Sequence, residues 1–147
     1  MIIRKSTLED LDYIYKLGKE NLETQFSKET LKTFIIYDET YYVCSILEKD
    51  LIGYIILWKS DNYGQIIDIV IEEKYRKKGY GFKLLNYGIN YLKGLNVNVV
   101  SLEVNVNNKA ALSLYKKAGF TKERTLENYY ENSDGVLLIR RLDLWLY

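Results

Sequence analysis

Apolar and polar positions follow one pattern up to residue 71 and a different one after it. In the first stretch, short apolar runs and alternation dominate. Met1–Lys5 reads as a first strand. Leu8, Leu11, Ile14 (with Tyr15) and Leu17 keep helical spacing behind Ser6 and Glu9, a pair that predicts a capping box, and Gly18 falls near the predicted helix end. Lys28–Tyr37 predicts a second helix with Leu31, Phe34 and Ile35 on one face. Tyr41–Leu47 and Leu51–Trp58 predict a hairpin around the charged turn Glu48-Lys49-Asp50. Gly64–Ile71 predicts a further antiparallel strand, reached through Ser60-Asp61-Asn62.

Beyond residue 71 strands alternate with helices. A helix over Phe82–Leu95, after Gly81, places Gly81, Leu85, Gly88, Ile89 and Leu92 on one face, and Gly94 marks the stop. Val97–Val106 predicts a strand, and Asn107 or Asn108 caps a helix over Lys109–Lys117 with Gly119 at its C-terminal end. Phe120–Tyr130 and Val136–Leu146 predict two final strands joined by Asn132-Ser133-Asp134-Gly135. The order β-α-α-β-β-β-α-β-α-β-β gives an α/β class: one domain over 1–147, with a mixed sheet flanked by helices.

Composition narrows the chemistry. With 147 residues the chain can bury a full core without disulfide or metal. Its 21 basic and 20 acidic residues nearly cancel, so no bulk charge favours nucleic acid or an anionic membrane. Lys74, Arg76, Lys77 and Lys78 are the local exception. Cys44 is the lone cysteine, which predicts a reducing compartment. Met1–Lys5 turns charged too early for a signal or transit peptide, and no apolar run reaches the ~18 residues of a membrane span. A soluble, cytoplasmic protein is expected. The absence of histidine removes Ser-His-Asp triads, Cys-His dyads and His-based metal sites. Carboxylates, lysines and tyrosines remain for proton transfer.

Arg76-Lys77-Lys78-Gly79-Tyr80-Gly81 stands between the strand ending at Ile71 and the helix beginning at Phe82. A glycine-rich turn at a helix start presents backbone N–H groups, a favourable dipole and close backbone approach to an anion. Such a pocket suits a pyrophosphate.

This hexapeptide, the element order and the later Asn108-Lys109-Ala110-Ala111-Leu112-Ser113-Leu114-Tyr115-Lys116-Lys117-Ala118-Gly119-Phe120 together resemble the GNAT superfamily of acetyl-CoA-dependent N-acetyltransferases. The resemblance covers essentially the whole chain and is strongest over Ile66–Tyr130. It implies a fold of about seven strands with a splayed central pair. Leu102-Glu103-Val104 and Asn128-Tyr129-Tyr130 before Asp134-Gly135 look like the ribosomal-protein-alanine N-acetyltransferase branch, whose acceptor is a protein α-amino group. Members of that branch carry acidic residues after the Asp-Gly turn, where Val136-Leu137-Leu138 stand here.

Carried over residue by residue, the resemblance implies a site. Arg76, Lys77, Lys78, Gly79, Tyr80, Gly81 and Phe82 would hold the pyrophosphate of acetyl-CoA, chiefly through the amides of Lys77 to Phe82. Ile69, Val70 and Ile71 would pair with the pantetheine arm like a strand, or are plain core. Asn108 would cap its helix and contact the same arm. Tyr115, inward by helical spacing with Ala111, Leu114 and Ala118, is either a core tyrosine or the acid that protonates the leaving thiolate. Glu103 shares a strand face with Val99, Ser101 and Asn105; it would take the amine's proton, directly or through water, or serve as an ion-pair partner. Tyr129 and Tyr130 would line the acceptor groove or form a strand-edge pair. Cys44 is remote from the donor motif, and direct transfer needs no acyl-enzyme.

Three functions follow: acetylation of a protein N-terminus, acetylation of a small amine such as a polyamine, amino acid or antibiotic, or CoA binding without catalysis. No metal, nucleic acid or membrane partner is expected, and the chain is expected to be a monomer or weak dimer.

Overall fold

The computed structural model describes residues 1–21, 26–37 and 39–142. β1 (Ile2–Lys5) leads through a 3-10 turn at Leu8–Asp10 into α1 (Leu11–Asn21). The capping box sits one residue later than Ser6 and Glu9. Thr7 N–H donates to Asp10 Oδ2 at 2.9 Å, while Glu9 is exposed. Ser6 has the same spacing to an acidic residue, but the sheet claims it: its N–H donates to the Val43 carbonyl (2.8 Å) and its hydroxyl bonds that of Ser45 (2.7 Å). Gly18 lies buried in the last turn of α1, near its end at Asn21 as expected. α2 (Lys28–Ile36) is capped by Ser27, whose Oγ accepts from Thr30 N–H at 3.1 Å.

β2 (Tyr41–Leu47), β3 (Leu51–Ser60) and β4 (Tyr63–Ile71) form an antiparallel meander, with the second turn tightened to Asp61-Asn62. α3 (Tyr80–Gly94) starts ahead of the expected Phe82. β5 (Val99–Asn105) is shorter than the apolar run Val97–Val106 suggested, and α4 (Lys109–Lys117) follows. β6 (Thr121–Tyr130) and β7 (Ser133–Arg141) close the sheet around Glu131-Asn132, so Ser133–Gly135 belong to the strand and not to the turn. The expected strand residues 143–146 lie outside the described residues.

All seven strands belong to one mixed sheet in the order β1-β2-β3-β4-β5-β7-β6. α3 and α4 cover one face, where Leu84, Leu85, Ile89 and Tyr115 pack with Ile55, Leu57, Ile66 and Leu102. α1 and α2 cover the other, packing Ile14, Leu17, Leu31 and Phe34 on Val43, Tyr54, Ile56 and Val70. Each fully buried aliphatic side chain contributes roughly 1.5–3 kcal/mol. Gly88 lets α3 press onto β3: a Cβ there would stand 3.0 Å from Ile55 Cδ1. Among the described residues, no helix is long and apolar enough to cross a membrane.

One contact in this sheet is short. β4 and β5 are the parallel pair, and they pair only over Tyr63–Gln65 against Val99–Ser101. Beyond those three rungs the two strands part. The expected splayed pair is present, and it opens the site.

Candidate active site

A cleft of about 990 Å³ runs through the gap between β4 and β5. Its floor is the diverging strands, and one end is the loop before α3. There Lys77 (φ 62°) and Gly79 (φ 88°) both take left-handed backbone, and Gly79 is the N-cap. Left-handed residues this close together turn successive N–H groups toward one point, and the first N–H groups of a helix lack intrahelical partners. A Cβ built on Gly79 meets nothing within 4 Å, so its positive φ, not crowding by the protein, is what demands glycine.

Not all of the basic cluster faces the cleft. Lys77, Gly79, Gly81 and Phe82 line it, and Lys117 joins them with its Nζ 4.5 Å from the Phe82 ring centre. Arg76 also borders it, but its guanidinium braces the loop: Nε donates to the Ile71 carbonyl (2.8 Å), and a second nitrogen donates to Asn21 Oδ1. The side chains of Val70, Lys78 and Tyr80 do not line the cleft. Val70 is core beneath α1 and α2, Lys78 lies over the Tyr75 ring (5.8 Å), and Tyr80 packs edge-on against Tyr75. Ile69 and Ile71 do line it. Past Gln65 the β4 edge toward β5 carries no ladder, while its other edge is held by β3.

Asn108 lines the cleft and caps α4, its Oδ1 accepting from Ala111 N–H at 3.1 Å. α4 carries Tyr115 inward, 7 % exposed, against the edge of Phe120. Burial, with Asp68 and Tyr130 nearby, pushes its phenol well above the ordinary value, so it stays a proton donor.

Toward the other end Glu103 faces the gap from β5. It accepts from Gln65 Nε2 (3.3 Å) and from the Tyr129 phenol, whose hydrogen bond to Glu103 and partial burial push it up to about 12. Tyr129 and Tyr130 meet ring edge to face 5.2 Å apart on the cleft wall. The structure thus brings Glu103, Tyr129, Tyr130 and Tyr115 to one cleft with the α3 loop. Cys44 is fully buried elsewhere, and burial pushes its thiol up to about 12.

Gln65, Asp68, Phe26 and Lys117 are among the lining residues not singled out in the sequence. Asp68 is the most unusual. Its Oδ2 is buried with no hydrogen-bond partner among the described residues, and burial pushes the carboxyl up to about 7. The available signal was a single charge inside the apolar run Ile66–Ile71.

Comparison with known proteins gives a consistent answer. The profile of the Acetyltransferase (GNAT) family matches residues 8–120. An N-alpha-acetyltransferase of Sulfolobus acidocaldarius is 34 % identical over 154 aligned positions, covering 93 % of this chain and 89 % of the relative. The fold is shared with the ribosomal-protein-S18-alanine N-acetyltransferase of Escherichia coli: TM-score 0.85, 22 % identity, 95 % and 92 % of the two chains covered. A chain of the NatC complex, solved bound to Gag peptide and CoA, aligns at TM-score 0.82 and 26 % identity over 97 % of this chain and 99 % of that one. With fold, cleft and family profile in agreement, this chain belongs to the GNAT family of acetyltransferases.

Proposed function

We propose that the protein transfers the acetyl group of acetyl-CoA by direct attack of a primary amine, and that this amine is the N-terminal α-amino group of a protein, a ribosomal protein foremost. The observation that carries the reading is the parting of β4 and β5 after three rungs. It leaves one cleft with an anion cradle at one end and a carboxylate beside two tyrosines at the other. The N-alpha-acetyltransferase relatives support the choice of amine.

The residues present fit the acetyl donor. The amides of Lys77 to Phe82, turned inward by the left-handed Lys77 and Gly79, suit its pyrophosphate, and Lys77 and Lys117 add positive charge. The unladdered edge of Ile69–Ile71 suits strand-like pairing with its pantetheine arm. Asn108 stands along the same path. Tyr115, kept protonated by burial, supplies the proton that the departing thiolate needs. Glu103, with Tyr129 and Tyr130, receives the acceptor's ammonium and the first peptide groups. Cys44, buried and held as a thiol, takes no part, in keeping with direct transfer. The protein acts as a monomer or weak dimer in the cytoplasm.

The test is free-thiol release from acetyl-CoA with three acceptors: a ribosomal-protein N-terminal peptide, its Nα-blocked lysine-containing version, and a polyamine and aminoglycoside set. Turnover on the free N-terminus alone is the expected result. Turnover only on small amines would move the acceptor to that class. Tight acetyl-CoA binding with no turnover would reduce the protein to a CoA-binding module.

A further inference from the structure

We propose that Asp68 is the group that takes the proton from the acceptor's ammonium, while Glu103 on the opposite wall holds that amine in place. The proposal rests on the acetyl-transfer reading above and assigns its missing proton acceptor.

The placement of Asp68 comes from a bulge. Leu57 stands opposite Ile66 and Ile56 opposite Asp68, so Ile67 is an extra residue in β4. Strict alternation from Ile66 would put Asp68 on the α3 face, in the apolar core. The inserted residue shifts the phase, and Asp68 falls on the face of Ile56, Tyr54 and Val70. Gln65 and Glu103 lie on that same face, bonded to each other across the gap. Two carboxylates therefore look into one cleft from strands that no longer pair.

Their surroundings differ. Glu103 already accepts from Tyr129 and Gln65. Among the described residues, the buried Oδ2 of Asp68 has no partner, and the phenols of Tyr54 on β3 and Tyr115 on α4 feel its charge. A buried carboxylate oxygen without a donor costs folding stability, and a cationic substrate supplies what it lacks. Its proton affinity also matches that of the amine, since burial sets it at about 7, against about 8 for a free α-ammonium.

The protons then balance. The ammonium gives its first proton to Asp68, freeing the nitrogen lone pair. The N–C bond forms, the C–S bond breaks, and sulfur leaves with the bonding pair and takes the Tyr115 proton. The second proton from nitrogen restores Tyr115 as the amide forms, and Asp68 returns its proton to solvent.

The test uses the full chain carrying Asp68→Asn. At neutral pH kcat on an N-terminal peptide should fall about 100-fold, with the acetyl-CoA dissociation constant changed by less than about twofold. The same peptide with an aminooxyacetyl N-terminus, neutral before binding, should recover most of that loss. Equal losses on both peptides, or near-normal kcat on the first, would overturn the assignment. Melting provides a readout without turnover: Asp68→Asn should melt higher than wild type at about pH 8 and alike near pH 4. A variant that melts lower at the higher pH would remove the premise of a buried carboxylate oxygen without a donor. Wild-type silence on every α-amine would instead bring down the acceptor reading, and the proposal with it.

Discussion

Asp10 and Asp68 are both aspartates tucked against the same sheet, and the molecule treats them in opposite ways. Asp10, 8 % exposed at the corner of β1 and α1, is fully engaged. Arg4 donates to both of its oxygens (2.7 and 3.0 Å), the Thr7 N–H adds a third bond (2.9 Å), and Ser45 a longer one (3.4 Å). Burial by itself would raise its pKa, yet these donors bring the carboxyl below its ordinary value. Asp68, half-buried in the cleft, has no donor on its buried Oδ2 among the described residues, and desolvation pushes its carboxyl up to about 7. Surroundings, not residue type, separate a structural anion from one that can exchange a proton near neutrality.

Tyr115 feels the charge of Asp68, and Tyr115→Phe should lower kcat at least ~100-fold with little change in acetyl-CoA affinity. Near-normal turnover would return Tyr115 to the core. On the structural side, Arg4→Met strips Asp10 of its two strongest donors. Denaturant titration should show a loss of about 1–2 kcal/mol, discounted because Arg4 is half-exposed, with acetyl transfer unchanged. Since the folded Asp10 pKa is lowered, that difference should be full above about pH 4 and fade as the pH drops further.

Asp68→Asn should act in the reverse sense on stability. A carboxyl whose folded pKa is raised weakens the fold as pH climbs from about 4 toward 7, so the neutral variant should melt higher near pH 8 and alike near pH 4. Smallest is Tyr129→Phe, which removes one donor from Glu103. A rise in acceptor KM of about threefold with kcat little changed is expected, in line with one hydrogen bond. A fall in kcat alone would give Tyr129 a part in the chemistry instead.

Much of this site was legible because it depends on local patterns. The glycine turn between strand and helix marked the loop that borders the cleft, helical spacing turned Tyr115 inward, and alternation set Glu103 apart from Leu102 and Val104. Asp68 was hidden because its face depends on the bulge at Ile67, and nothing in Ile66-Ile67-Asp68-Ile69 marks an inserted residue. Gln65 and Phe26 carry no chemistry of their own; the splay and the α1–α2 face give them their place. The helix cap shows the same limit. Ser6-Glu9 and Thr7-Asp10 have identical spacing, and only the pairing of Ser6 with β2 decides between them.

The most direct test of a cleft that keeps one carboxylate ready for a proton is carbon NMR titration of the aspartate side chains in the wild-type protein. Asp68 should titrate at about 7 while Asp10 titrates below the ordinary aspartate value in the same sample. Both signals moving together near about 4 would contradict it, because the two sites would then be electrostatically alike.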